Sequence, residues 1–161
     1  MLSYYDITIR LVVAMLVGSI LGWERSKSRK PAGIRTHALV CLASACLTMI
    51  SAYGTSELLH DKTNVDPLRL ASQIVSGVGF LGAGVIWKHS RGDIRGLTTA
   101  SNIWAVAGLG IAAGLGHFFL VFMTTLMIKL ALRIAIILQY FDLFSYPKKD
   151  TDIAEDNDDS K

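Results

Sequence analysis

The sequence predicts an all-α integral membrane protein, a compact bundle of about five transmembrane helices. Three observations carry that prediction. Residues 70–87 form an uncharged run of eighteen residues, four of them glycine. A bilayer has use for such a run, because about 20 mostly apolar residues at roughly 1.5 Å each cross a hydrocarbon layer of about 30 Å. Of the 161 residues 18% are charged and 52% hydrophobic, against roughly 25% charged in soluble domains. Finally, the apolar stretches follow one another so closely that no soluble domain fits between them.

Taken in order, the spans are expected at residues 4–23, 34–53, 68–87, 97–115 and 117–138. The first is read as retained rather than as a cleaved signal. Arg10 stands ahead of its apolar run, but Gly22, Trp23, Glu24 and Arg25 follow it instead of a small-residue cleavage site. Asp66 and Pro67 suit the cap and first position of span three, and Gly96 with Thr98 and Thr99 offers a break and a cap before span four. Spans four and five are joined only by residues 114–117, which implies a tight antiparallel hairpin.

Charge orients the bundle. The first loop holds Arg25, Lys27, Arg29, Lys30 and Arg35, and the third holds Lys88, Arg91 and Arg95. The second has Lys62 and Arg69 balanced by Glu57, Asp61 and Asp66, and the fourth has no basic residue. The positive-inside rule therefore puts loops one and three and the C-terminus in the cytoplasm, with the N-terminus outside. Residues 1–149 carry 15 Lys and Arg against 7 Asp and Glu, a net +8, whereas residues 150–161 carry 1 against 6, a net −5. The chain is accordingly divided into a membrane domain, 1–146, and an acidic tail, 147–161, expected to be disordered because it has little apolar surface to bury.

Glycine spacing suggests how the helices pack. Gly18 and Gly22 in span one and Gly110 and Gly114 in span four have the small-residue spacing that lets membrane helices approach closely. Span three adds Gly77, Gly79, Gly82 and Gly84. The expectation is close contact among spans one, three and four. Gly77-x-Gly79-x-x-Gly82 formally matches a dinucleotide fingerprint, but it lacks the preceding strand that the fingerprint needs.

Ionisable groups near the spans are the other candidates, since charge in a bilayer is costly. Asp6 and Arg10, four apart, could pair on a helix, or Arg10 could snorkel; Lys129 and Arg133 are read as snorkelling. Glu24, Arg25 and Arg35 should meet at one rim, with Glu24 offsetting a cation at a helix start. Gln73 and Asn102 are expected to hydrogen-bond between helices. Asp61, Asn64 and Asp66 lack the glycine and terminal glutamate of a calcium loop. His37, His60, His89 and His117 fall in four boundary regions, and Cys41 and Cys46 on different helix faces. No catalytic constellation, metal site, cofactor or nucleic-acid partner is expected.

Several strings taken together resemble the MgtC/SapB family: Gly22-Trp-Glu24-Arg25, Ala32-Gly33-Ile-Arg35-Thr36, Arg69-Leu-Ala-Ser-Gln73, Gly77-Val-Gly79-Phe-Leu-Gly82-Ala-Gly84 and Arg95-Gly96-Leu-Thr98-Thr99. The resemblance covers about residues 5–120. It implies a bacterial inner-membrane protein tied to magnesium limitation or related stress, in a short form without the family's soluble C-terminal domain. It also implies a regulator rather than a magnesium transporter, acting through contact with other inner-membrane proteins, the ATP synthase among them; apart from the resemblance, no enzyme is expected and a homo-oligomer is allowed for. On the matching positions, Glu24, Arg25, Arg35, Thr36, Arg69, Gln73, Arg95 and Thr98 are the polar site candidates. The competing expectation is an ion or small-solute transporter with Glu24 and Arg35 on its path.

Overall fold

The computed structural model describes residues 2–54, 66, 69–88 and 93–140. Five α-helices lie among them: α1 (Tyr4–Lys27), α2 (Ile34–Met49), α3 (Arg69–Gly84), α4 (Leu97–Leu115) and α5 (Phe118–Tyr140). A π-helical turn, Ile50–Gly54, continues α2, and β1 (Trp87–Lys88) pairs antiparallel with β2 (Ile94–Arg95). The chain divides into two compact units, Met1–Ile128 and Lys129–Lys161, and the helix core belongs to the first. The expectations for the second loop, for His60 and His89, for the Asp61–Asn64 oxygens and for the acidic tail lie outside the described residues.

Local chemistry explains the helix ends. The Ser3 hydroxyl accepts from the Tyr5 amide at 3.3 Å, and the Asp6 carboxylate accepts from the Ser3 amide at 3.3 Å. This reciprocal cap starts α1, and it gives Asp6 a role other than the expected pairing with Arg10. Helix α1 runs past residue 23 to Lys27, because Glu24, Arg25 and Lys27 are good helix formers and the basic ones suit a C-terminus. Helix α4 begins after Gly96 at φ 94° and ends before Gly116 at φ 85°, both in the left-handed region that glycine tolerates.

Span three departs from expectation. The helix starts at Arg69, where the Leu70 amide donates to the Ser51 hydroxyl at 3.3 Å, and stops at Gly84. Its 16 residues cover about 24 Å at roughly 1.5 Å each. Past the glycines the chain carries Val85, Ile86 and Trp87, residues that favour extended backbone, and it folds into the β1–β2 pair in place of more helix. By length and apolar character, three segments among the described residues can cross a membrane: Tyr4–Lys27, Ile34–Gly54 and Leu97–Leu115.

Helix α2 lies at the centre of the packing, between α1 and α4. A Cβ on Gly18 would stand 2.6 Å from the His37 carbonyl oxygen, and one on Gly22 2.6 Å from Ile34 Cα. From the other side, a Cβ on Gly114 would stand 2.6 Å from the Ala45 carbonyl oxygen, and one on Gly110 would run into the Cys41 carbonyl. Ala14, Leu21, Cys41, Ala45, Val106 and Ala113 fill this seam. Of the expected grouping of spans one, three and four, α4 does pack against both α1 and α3, but both glycine pairs are spent on α2, which that grouping left out. Helix α3 packs through Ile74 and Val78 in a cluster with Ile103 and Ala107 of α4, and Gly82 faces Ala100 at an ordinary 3.6 Å. A Cβ on Gly77, Gly79 or Gly84, expected at helix contacts, would meet nothing within 4 Å among the described residues. The reason is phase. Ala71, Ile74, Val78 and Gly82 form the buried stripe of α3, and helical periodicity turns the other three glycines away from it.

Candidate functional site

The end of α1 and the starts of α2 and α4 meet around a small set of buried polar side chains. Arg25, on the last turn of α1, is only 9% exposed. It lies three residues after Gly22 and seven after Gly18, so the glycine face that seats α1 carries the arginine inward with it. Its Nη2 donates to Thr99 Oγ1 at 2.6 Å. Thr99 and Asn102, one turn apart on α4, are both buried. Asn102 is bonded to His37 of α2, Nδ2 to Nε2 at 2.9 Å, and His37 Nδ1 lies 2.8 Å from the Gly33 carbonyl. A carbonyl can only accept, so Nδ1 carries the ring proton; in a neutral ring Nε2 then accepts from the Asn102 amide. One face of α4 thus receives α1 through Arg25 and α2 through His37. Ser26 completes the rim, its hydroxyl accepting from the Ile34 amide at 2.9 Å.

A second polar tie lies at the other end of α1, fifteen residues from Arg25 and so about 22 Å along the helix. Arg10 donates to the Gly114 carbonyl at 2.6 Å and to the Tyr53 hydroxyl at 3.0 Å, with its guanidinium 5.0 Å from the Tyr53 ring centre. It caps the C-terminal end of α4, where a cation suits the dipole. Neither snorkelling nor a pair with Asp6 describes it.

Of the candidates read from sequence, Arg25 is the buried one. Glu24 is half-buried, while Arg35, Thr36, Arg69, Gln73, Arg95 and Thr98 are exposed. The expected Glu24–Arg35 bridge is not formed: among the described residues Arg35 makes no ion pair, and α2 instead enters the site through His37. Asn102 bonds between helices as its position suggests, whereas Gln73 points outward. Sequence reasoning passed over His37 and preferred Thr98 to Thr99. Helical phase would have found both, since Thr99, Ile103, Val106 and Gly110 follow one line along α4, and His37, Cys41 and Ala45 one line along α2.

Comparison with known proteins gives the family. The MgtC family model matches residues 11–140. An uncharacterised protein of Haemophilus influenzae is 42% identical over 132 residues, covering 81% of this chain and 56% of that protein. Protein SapB of Bacillus subtilis is 40% identical over 137 residues, 83% of this chain and 59% of SapB. Protein MgtC of Salmonella typhimurium is 42% identical over 110 residues, 68% of this chain and 44% of MgtC. The chain thus spans about half the length of the curated relatives it matches. No solved structure matches it. By the family match and by these identities, the chain belongs to the MgtC family.

Proposed function

We propose that this chain is a multi-pass protein of the bacterial inner membrane that regulates other membrane proteins by contact, the ATP synthase among them, under magnesium limitation or related stress. In this reading its five helices lie in the bilayer, its N-terminus faces outward and the Arg25 rim faces the cytoplasm. The observation that supports regulation over transport is where the buried polarity goes. Among the described residues the buried polar side chains are Arg25, His37, Ser44, Thr48, Ser51, Thr99, Asn102 and Thr125, with no acid among them. Arg25 and His37 are used in ties between helices. Paths for divalent cations present carboxylates or rings of carbonyls instead.

The full chain in liposomes loaded with a magnesium-sensitive dye tests this. The expected result is no Mg²⁺ entry above empty vesicles, with a membrane protein co-purifying in stoichiometric amount from mild detergent. Saturable Mg²⁺ entry, lost on substitution of Glu24 or Arg35, would overturn regulation in favour of transport.

A further inference from the structure

Arg25, at the end of α1, and the first turn of α4 gather hydrogen-bond donors that outnumber the acceptors bonded to them among the described residues. Arg25 is 9% exposed, and its buried Nε–H has no partner among the described residues. A guanidinium keeps its charge and offers donors alone. Thr99 Oγ1 accepts from Arg25 Nη2, which leaves the hydroxyl hydrogen of Thr99 free to donate onward. Thr99 is also the third residue of α4, and the first amides of a helix have no partner within it. The cap residue Gly96 supplies no side chain for them. Nor could a common capping residue replace it, because at φ 94° any Cβ would run into the Val85 carbonyl oxygen.

The electrostatics point the same way. A helix N-terminus carries positive partial charge, so a buried cation against the first turn of α4 is disfavoured both by the dipole and by lost hydration. No carboxylate pairs with Arg25 among the described residues, and exposed Arg95 adds a further cation beside the cap. An anion would satisfy all of these groups together. Chloride offers a single acceptor atom and a carboxylate two, whereas the donors here are the Arg25 Nε–H, the Thr99 hydroxyl and several amides. We infer that this rim binds a phosphate-type oxyanion, held by Arg25 Nε, Thr99 Oγ1 and the first-turn amides of α4, with Arg95 beside it. Phosphate at a helix N-terminus is a general solution to those unpaired amides. The same chemistry could be presented by a phospholipid headgroup or by soluble phosphate.

The test uses the full chain in maltoside micelles, which carry no phosphate. Inorganic phosphate is titrated against sodium chloride of equal ionic strength, following the thermal unfolding midpoint. In a second arm, phosphatidylglycerol is added against a galactosyl diacylglycerol, and bound lipid is counted by native mass spectrometry. A ligand that binds only the folded state raises the midpoint with concentration. Stabilisation by inorganic phosphate assigns a soluble source, and selective retention of phosphatidylglycerol assigns the headgroup; either supports the site. Arg25→Lys keeps a charge but loses the Nε–H, and should weaken binding by about tenfold or more. Thr99→Val should weaken it as well and serves if Arg25→Lys does not fold, while Lys27→Gln, an exposed cation on the same turn, should leave it unchanged. No response in either arm would overturn the inference, as would a response equal in wild type, Arg25→Lys and Thr99→Val.

Discussion

The seam around α2 and the outer face of α3 are both rich in glycine, yet they behave oppositely. At Gly18, Gly22 and Gly114 an added Cβ would stand 2.6 Å from a neighbouring backbone atom; at Gly77, Gly79 and Gly84 it would meet nothing within 4 Å among the described residues. Small-residue spacing therefore states that a close approach is permitted, not that one is made. What decides is whether the glycines share a face with the apolar bulk. On α1 and α4 they do, alongside Ala14 and Leu21 or Val106 and Ala113. On α3 the bulk lies on the Ala71, Ile74 and Val78 side, and only Gly82 joins it.

The largest expected effects come from filling the seam. Gly18→Ala, Gly110→Ala and Gly114→Ala would each press a methyl group into the backbone of α2, where no flexible side chain can yield. Overpacking of this kind costs about 1–3 kcal/mol, and Gly110→Leu should abolish folded yield. Fluorescence-detected size exclusion after graded heating measures both. Wild-type midpoints for all three alanine variants would mean that α2 can move away from its neighbours, and would remove the distinction between the two glycine regions.

Next come the polar ties that hold the ends of the same seam. Asn102→Ala strands the buried Nε2 of His37, and Arg10→Met takes the guanidinium away from the Gly114 carbonyl. Losing the partner of a buried polar group costs about 1–3 kcal/mol. Both should therefore lower the unfolding midpoint visibly. Combining Asn102→Ala with His37→Ala tests the first tie directly. If the double variant is no more stable than the sum of the singles predicts, the two side chains do not interact.

Substitutions at exposed polar positions should matter less for the fold. Arg35→Ala and Gln73→Ala are expected to change stability by within about 0.5 kcal/mol. A loss comparable with that of Asn102→Ala would show that these side chains are covered by something beyond this chain. Activity is a separate readout, and a silent fold with altered activity would favour a role for Arg35 on the rim.

How much of this was legible in the sequence follows from what each signal measures. Apolar length located α1, α2, α4 and α5 within a few residues, because burial of an apolar run is insensitive to detail. It overextended α3, since hydropathy does not register that Val85, Ile86 and Trp87 prefer extended backbone once Gly84 has ended the helix. The motif strings led to this rim but not to every side chain buried in it. Arg35 and Thr98 stand one or two positions from His37 and Thr99, and on a helix such a shift turns a side chain from core to surface. The capping role of Asp6 and the Arg10 tie to α4 escaped for different reasons. The first, Asp6 three residues from Ser3, competes with an Asp6–Arg10 pair four residues apart, and the second spans 104 positions in sequence.

The smallest expected effect is the most discriminating between the two glycine regions. Gly77→Ala, Gly79→Ala and Gly84→Ala add methyl groups to open space on a helix. Glycine within a helix is less favourable than alanine by roughly 0.5–1 kcal/mol, so each substitution should leave the isolated chain unchanged or slightly more stable. Gly82→Ala, at 3.6 Å from Ala100, should be nearly neutral, and Gly82→Ile should not, because a larger side chain would push α3 off α4. The measurement is the unfolding midpoint of the purified chain, taken beside the same variants expressed in cells. A stabilised protein in detergent that is depleted or inactive in cells would mean that the α3 face is occupied there by another surface. Destabilisation in detergent would instead place those glycines in contact within the chain itself, and the contrast between α3 and the α2 seam would collapse.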